Sequence, residues 1–243
     1  EKIVGSINGA VFQDEAYHIV VGQNETLVEA TTERGLYWAR QTLAQLTIDN
    51  KGKKTLPQCE ITDWPAFRIR GYMHDTGRSF IPFDELKKEI EILSRFKINT
   101  FHWHLTENLA WRMESKLYPQ LNAAKNMERD KGKFYTLKQA AELADFCRAH
   151  NMTLIPEIDM PGHSAAFERT FGFGMQTEEG KRIMKDIISE VCDAIDVPWL
   201  HIGKDEVQFT DPTFVPEMVA YVRSKGKKVI SWNPGWKYKP GEI

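Results

Sequence analysis

The chain has 243 residues, 42% hydrophobic and 27% charged, with a formal net charge of −2. Those values fit one globular domain, or one and a half, with a sizeable core. They exclude the strongly basic surface of a nucleic-acid binder and the polybasic arm of a membrane-surface protein, and no run approaches the ~18 apolar residues of a spanning helix. The chain opens Glu1-Lys2-Ile3-Val4 with neither initiator Met nor signal peptide, so a processed or trimmed product is the expectation. Cys59, Cys147 and Cys192 are too few and too scattered for a disulfide framework. The last two fall in predicted helices and read as buried thiols.

Residues 1–62 read as part of a small α+β domain. Ala16 to Val21 is a strand rich in β-branched residues, and Leu36, Ala39, Leu43 and Leu46 recur at helical spacing. Lys51-Gly52-Lys53-Lys54 is a polar turn, and Asp63-Trp64-Pro65 marks a boundary. Residues 63–243 then alternate. Strands are predicted at Arg68–Asp75, Ile98–Leu105, Met152–Ile158, Trp199–Asp205 and Lys228–Trp232. Between them lie helices at Phe83–Lys97, with Leu86, Ile90, Ile92, Leu93 and Phe96 as its apolar face, from Thr136 to about His150, at Glu178–Ile195 and at Pro212–Lys225. Thr136-Leu137-Lys138-Gln139 is a capping box, and Ile183, Ile187, Ile188, Val191 and Ile195 form one stripe.

Alternating strands and helices imply right-handed βαβ units and a parallel sheet. Every predicted strand ends in polar residues: His74 and Asp75; His104, Thr106 and Glu107; Glu157 and Asp159; Asp205 and Glu206; Trp232 and Asn233. In a (β/α)8 TIM-type barrel such ends converge on one mouth. An open doubly wound sheet is the rival, but no Gly-rich phosphate loop follows the first strand.

The sharpest signal is Leu200-His201-Ile202-Gly203-Lys204-Asp205-Glu206-Val207, an apolar run opening into two adjacent carboxylates. Like charges that close push at least one pKa upward, and a carboxylic acid still protonated near neutrality can serve as a general acid. The bland alternative is a solvated helix cap. His163, in Met160-Pro161-Gly162-His163, can tune a carboxylate or simply be a structural loop residue. His102 and His104 alternate along one strand and so face one side. They could ligate zinc with help from His163, His201 and Asp205, or hydrogen-bond within the barrel. Trp103, Trp111, Trp232 and Trp236 read mostly as core, although Trp232, at a strand end, could wall a sugar site. Arg70 needs a partner, either an internal ion pair or the hydroxyls of a ligand.

Four blocks carry a resemblance. They are residues 63–78 (Asp63 to Arg78), residues 99–108 (Asn99 to Asn108), residues 155–164 (Ile155 to Ser164) and residues 201–206 (His201 to Glu206). In order and spacing they resemble the family 20 glycoside hydrolases, the β-N-acetylhexosaminidases, from about Ala16 to Trp232. Gly35 to Leu43 resembles the helix of the small domain preceding that family's barrel. The resemblance implies removal of terminal β-linked N-acetylhexosamine by substrate-assisted retaining catalysis, with the 2-acetamido oxygen as nucleophile. Glu206 would be the general acid and then base, and Asp205 would orient the acetamido group. Arg70 would hold sugar hydroxyls, and Glu107 and His163 would form a polar relay with Asp159 behind. Trp232 would wall the acetamido pocket. Neither metal nor cofactor is implied. The partners implied are glycans ending in N-acetylglucosamine or N-acetylgalactosamine, and the setting implied is export: periplasmic, secreted or lysosomal.

Three departures stand out. Lys204 replaces a common Gly, and Glu107-Asn108 replaces a usual Asp-Asp. Only about five βα units are present, so the expectation is a fragment that cannot close its barrel. The alternatives are a metal-dependent barrel hydrolase built on His102 and His104, and a truncated amino-sugar-binding module without catalysis.

Overall fold

The computed structural model describes residues 1–233 and Lys237; Trp236 lies outside the described residues. The chain divides into two compact units, one of residues 1–70 with 91–99, the other of residues 71–90 with 100–243. The sequence places its boundary at 62/63. The structure assigns 63–70 to the first unit, where Arg70 and Asn99 both hydrogen-bond Glu15.

The first unit contains β1 (Lys2–Ile3), β2 (Tyr17–Val21), β3 (Thr26–Ala30), α1 (Glu33–Leu46), β4 (Ile48–Asn50), β5 (Lys53–Thr55) and β6 (Cys59–Asp63). Its four-stranded sheet runs β1-β3-β2-β6, with β2 antiparallel to both β3 and β6. Along β2 the residues Tyr17, Ile19 and Val21 are buried while His18 and Val20 are less so, the period of two expected of a strand with one covered face. Thr32 caps α1 by accepting from the Gly35 N–H at 3.2 Å. That helix lays Leu36, Trp38 and Ala39 into the same core as Tyr17, Ile19, Val21 and Val28. Sequence patterning finds only β2 and α1 here. β3 and β6 are as long as β2 but carry charged residues, Glu29 on one and Glu60 and Asp63 on the other, which dilute the β-branched and aromatic run that marks a strand.

The second unit contains β7 (Gly71–Asp75), α2 (Phe83–Arg95, its last turn belonging to the first unit), β8 (Thr100–His104), α3 (Leu137–Ala149), β9 (Thr153–Glu157), α4 (Ala165–Phe171), α5 (Glu178–Ala194), β10 (Trp199–His201), α6 (Phe214–Ser224) and β11 (Lys228–Ile230). Strands β7 to β11 form one sheet, all parallel, lying side by side in chain order. A doubly wound sheet reverses its order at a switch point, and this one does not. Consecutive order with helical crossovers is the (β/α)8 arrangement, with five strands among the described residues. Among the described residues β7 and β11 are edges, and Tyr72 and Met73 on β7 are 39% and 40% exposed, as expected where no neighbour covers the strand.

Helix faces follow the sequence with one correction. Leu86 and Ile90 are fully buried, but Ile92 and Phe96 are exposed. Ile92 is two residues past Ile90, more than half a turn round the helix, and Phe96 lies beyond its end. The stripe on α5 is buried as expected. The fourth predicted strand is shorter than read: β10 stops at His201, and Gly203, Lys204 and Glu206 have φ of +61°, +83° and +49°. The acid pair therefore sits on a left-handed turn. Cys147 and Cys192 are buried thiols, pushed up by burial to about 12 and about 11. The predicted capping box is present at α3, with Thr136 and Gln139 bonding each other's backbone. Thr136→Ala should cost about 1 kcal/mol of unfolding free energy, read by denaturant titration.

Candidate active site

The C-terminal ends of β7, β8, β9 and β10 are tied to each other beyond the strands. Thr76 and Gly77 N–H donate to the His104 carbonyl, Leu105 N–H to that of Glu157, and Ile158 and Met160 N–H to those of His201 and Ile202. These bonds fix the loops from which the polar residues project. Two glycines let the loops approach. A Cβ on Gly203 would fall 1.7 Å from Asp159 Oδ1, and one on Gly162 2.6 Å from the Asp205 carbonyl. Any side chain at either position would force the β9 and β10 ends apart.

A chain of charges crosses this end of the sheet. Asp75 holds Arg78 through its N–H at 2.8 Å and Nη1 at 2.5 Å. Arg78 Nη2 lies 2.5 Å from Glu107 Oε1, which lies 2.7 Å from His163 Nδ1; His163 Nε2 lies 3.5 Å from Glu206 Oε2. Glu107 is 2% exposed and Glu206 75%, so the chain runs from buried carboxylate to open carboxylate. Burial opposes the Glu107 anion, but His163, the Asn108 N–H and Arg78 outweigh it and lower its pKa. The Glu107 carboxylate, aided by Asp159 and Asp205 and opposed by burial, raises His163 to about 9. His163 is thus an imidazolium at neutral pH, 3.5 Å from Glu206.

Asp159 stands behind this chain. Its N–H donates to Thr106 Oγ1 at 2.9 Å, and its Oδ1 accepts from the Lys204 N–H at 3.2 Å. Burial, with the nearby Glu157 charge, raises it to about 7. Asp205, His163 and Asp159 bring donor atoms within 4.8 Å of one another. Asp205 Oδ1 is buried and, among the described residues, meets no hydrogen-bond donor. Buried acceptors are nearly always satisfied, so such an oxygen is suited to a donor brought by a ligand.

Glu157 anchors a second cluster. His102 Nε2 and His104 Nδ1 each lie 2.7 Å from its Oε2, while Trp232 Nε1 donates to its Oε1 at 2.9 Å and His201 Nδ1 lies 3.0 Å from it. Burial opposes the Glu157 anion, but the three imidazoles hold its pKa well below the usual carboxylate range. His102 and His104 do share a face, as their spacing predicts. His102, Glu157 and His201, or His104, Glu157 and Asp159, are close enough to hold a metal.

The remaining predicted residues divide. Of the two readings of Arg70, the structure shows the internal ion pair: its guanidinium is bonded to Glu15 and to the Lys97 and Phe67 carbonyls, all in the first unit. Arg70 precedes β7, whereas barrel sites collect after the strands. The guanidinium that meets the acids is Arg78, three residues past β7, and that polarity was the signal available in the sequence. Trp232 packs on His102 and His201, with ring centroids 5.1 and 4.8 Å away, and belongs to the Glu157 cluster. Lys204 is 1% exposed; burial lowers its pKa against the attraction of Asp205. Its φ of +83° is a glycine-like conformation.

The imidazolium makes stability pH-dependent. His163 binds its proton more tightly folded, at about 9, than in the ordinary range near 6.5, so its contribution is complete below about pH 6.5 and is lost as pH rises through 9. Asp159, raised to about 7 from 3.8, acts with the same sign, complete below about pH 3.8 and lost as pH rises through 7. Denaturant midpoints should fall between pH 6.5 and 9, and His163→Gln should flatten that slope. An unchanged slope in the variant would refute this assignment.

Residues 67–176 match the model of the glycosyl hydrolase family 20 catalytic domain, and residues 2–64 that of family 20 domain 2. The chain is similar to a beta-hexosaminidase of Porphyromonas gingivalis, 33% identical over 84% of this chain and 30% of that protein. Among solved structures it resembles the beta-N-acetylhexosaminidase of Bacteroides fragilis, with a TM-score of 0.81 and 30% identity over 90% of this chain and 52% of that one. It also resembles a Vibrio harveyi exo beta-N-acetylglucosaminidase in complex with N-acetylglucosamine, with a TM-score of 0.83 and 26% identity over 90% of this chain and 44% of that one. The chain thus spans between about a third and a half of the length of these relatives.

Proposed function

Because the chain belongs to glycosyl hydrolase family 20, we propose that it supplies the acid–base end of an exo-acting β-N-acetylhexosaminidase. The observation that carries this reading is Asp205 with its unfilled buried oxygen beside Glu206, itself backed by the imidazolium of His163. Glu206, exposed at the mouth, donates a proton to the glycosidic oxygen as that bond breaks. The negative charge that develops on it is met by His163, which Glu107 and Arg78 hold in place. Asp205 accepts the acetamido N–H, so the acetamido oxygen is turned toward the anomeric carbon. As the bicyclic oxazolinium-type intermediate forms, its positive charge faces the Asp205 carboxylate. Water then opens the intermediate, with Glu206 taking its proton, and the anomeric configuration is retained. Arg78 takes the hydroxyl-binding role that the resemblance gives to Arg70: its guanidinium lies past β7, against Glu107.

The test is hydrolysis of p-nitrophenyl N-acetyl-β-glucosaminide and the matching galactosaminide, beside the plain β-glucoside. The N-acetyl substrates should react and the plain glucoside should not. Asp205→Asn should slow the N-acetyl substrates, and a thiazoline mimic of the intermediate should bind more tightly than the product sugar. A covalent sugar adduct on a protein carboxylate would reject the mechanism.

A further inference from the structure

Arg112, on the segment that follows β8, is 0% exposed. A cation shut off from water needs its donors filled. Here they are filled on two sides. Toward the turn at 129–133, Nη1 donates to the Asp130 and Lys133 carbonyls at 3.0 and 2.8 Å, and Nη2 to that of Arg129 at 2.9 Å. Toward the end of β7, Nε donates to the Thr76 carbonyl at 3.1 Å. The turn returns the grip at Phe80, whose N–H donates to Asp130 Oδ2 at 3.0 Å. Tyr135 adds to it, donating from its hydroxyl to the Ile81 carbonyl at 2.7 Å and stacking on the Phe80 ring. Arg78 lies midway between these two grips, and its own carbonyl accepts from Arg129 Nη1 at 3.3 Å.

We propose that Arg112 is a positioning residue for the sugar: by joining the 129–133 turn to Thr76, it sets where the Arg78 guanidinium stands. The inference rests on the reading of Arg78 as the holder of sugar hydroxyls. Asp75 and Glu107 hold the tip of the Arg78 side chain. The backbone from which that side chain grows is held by the clamp. Both attachments matter, because an arginine binds through a rigid planar fork whose angle counts as much as its distance. Misplacing a binding group by about 1 Å can cost ~10²-fold in rate even though the group itself is intact. Lysine is no substitute at position 112. Its donors share one nitrogen, so they cannot reach carbonyls on two sides of a guanidinium at once.

The experiment is a double-mutant cycle in the full-length protein, read as kcat/KM for p-nitrophenyl N-acetyl-β-glucosaminide, with thermal melts to confirm folding. Arg78→Ala should lower kcat/KM about 10²-fold, the scale of losing hydrogen bonds to a charged group. Arg112→Lys should lower it about tenfold, mainly through KM. The double variant should be no worse than Arg78→Ala alone, since a residue that acts through Arg78 then has nothing left to position. A merely structural role would add its loss to that of Arg78→Ala. Asp130→Gly goes through the same cycle and decides the matter if Arg112→Lys does not fold. It removes the acceptor of the Phe80 N–H, and glycine tolerates the φ of +47° at that position. Additive losses, or wild-type kcat/KM in Arg112→Lys and Asp130→Gly where Arg78→Ala is impaired, would overturn the positioning role alone. Wild-type kcat/KM in Arg78→Ala would overturn the reading of Arg78, and the inference with it.

Discussion

Glu206→Gln is expected to lower turnover of unactivated N-acetylglucosaminides by at least ~10²-fold, the usual scale of a general acid. The amide keeps the shape of the side chain and cannot donate an acidic proton. Glu206 is 75% exposed, so the substitution buries nothing and the fold should melt where wild type does. The loss should shrink for substrates with very good leaving groups, which need little protonation as they depart. Comparing kcat/KM for N,N′-diacetylchitobiose and a dinitrophenyl glycoside reads this difference. Near-wild-type cleavage of the disaccharide would remove Glu206 from the mechanism.

Gly203→Ala is expected to be the most damaging single-methyl change in the second unit. Two penalties combine. Residue 203 has φ of +61°, which costs an L-residue roughly 1–2 kcal/mol. The new Cβ would also lie 1.7 Å from Asp159 Oδ1, so the Asp159 side chain must leave. That breaks its bond to the Lys204 N–H and moves the turn carrying Asp205 and Glu206. Destabilisation above about 3 kcal/mol, in the far tail for point substitutions, should accompany loss of hydrolysis. Equilibrium unfolding and the nitrophenyl assay measure the two effects. A variant matching wild type in both would show that the β9 and β10 ends need not be this close.

Lys204 bears on the same turn. It holds φ of +83° without being glycine, and its side chain is buried. A left-handed lysine is strained, and such strain persists only where the surroundings impose it. Here the Asp159 carboxylate, the adjacent Asp205 charge and the tight approach of Gly203 do so. Lys204 is therefore part of the scaffold of the acid pair, and its burial keeps it from being a surface cation that greets the substrate.

The sequence by itself determined the alternation of elements and the ends on which chemistry collects. Hydrophobic periodicity is a local property, so α3, α5 and β8 to β10 were legible from it, and a strand's polar C-terminal end announces a barrel mouth before any contact is known. The pattern put Asp205, Glu206, Glu107 and Asp159 at such ends and His163 in the loop after the third strand. Distances across the sheet were beyond its reach, because they depend on how loops from different strands meet. Only the tertiary structure showed the Arg70 guanidinium bonded to Glu15 and that of Arg78 to Glu107. Only it assigned His102, His104, His201 and Trp232 to one buried carboxylate. It alone showed the acid pair on a left-handed turn that Gly203 makes possible: backbone hand and the approach of one loop to another are set by packing between residues far apart in the chain, and no local pattern encodes them.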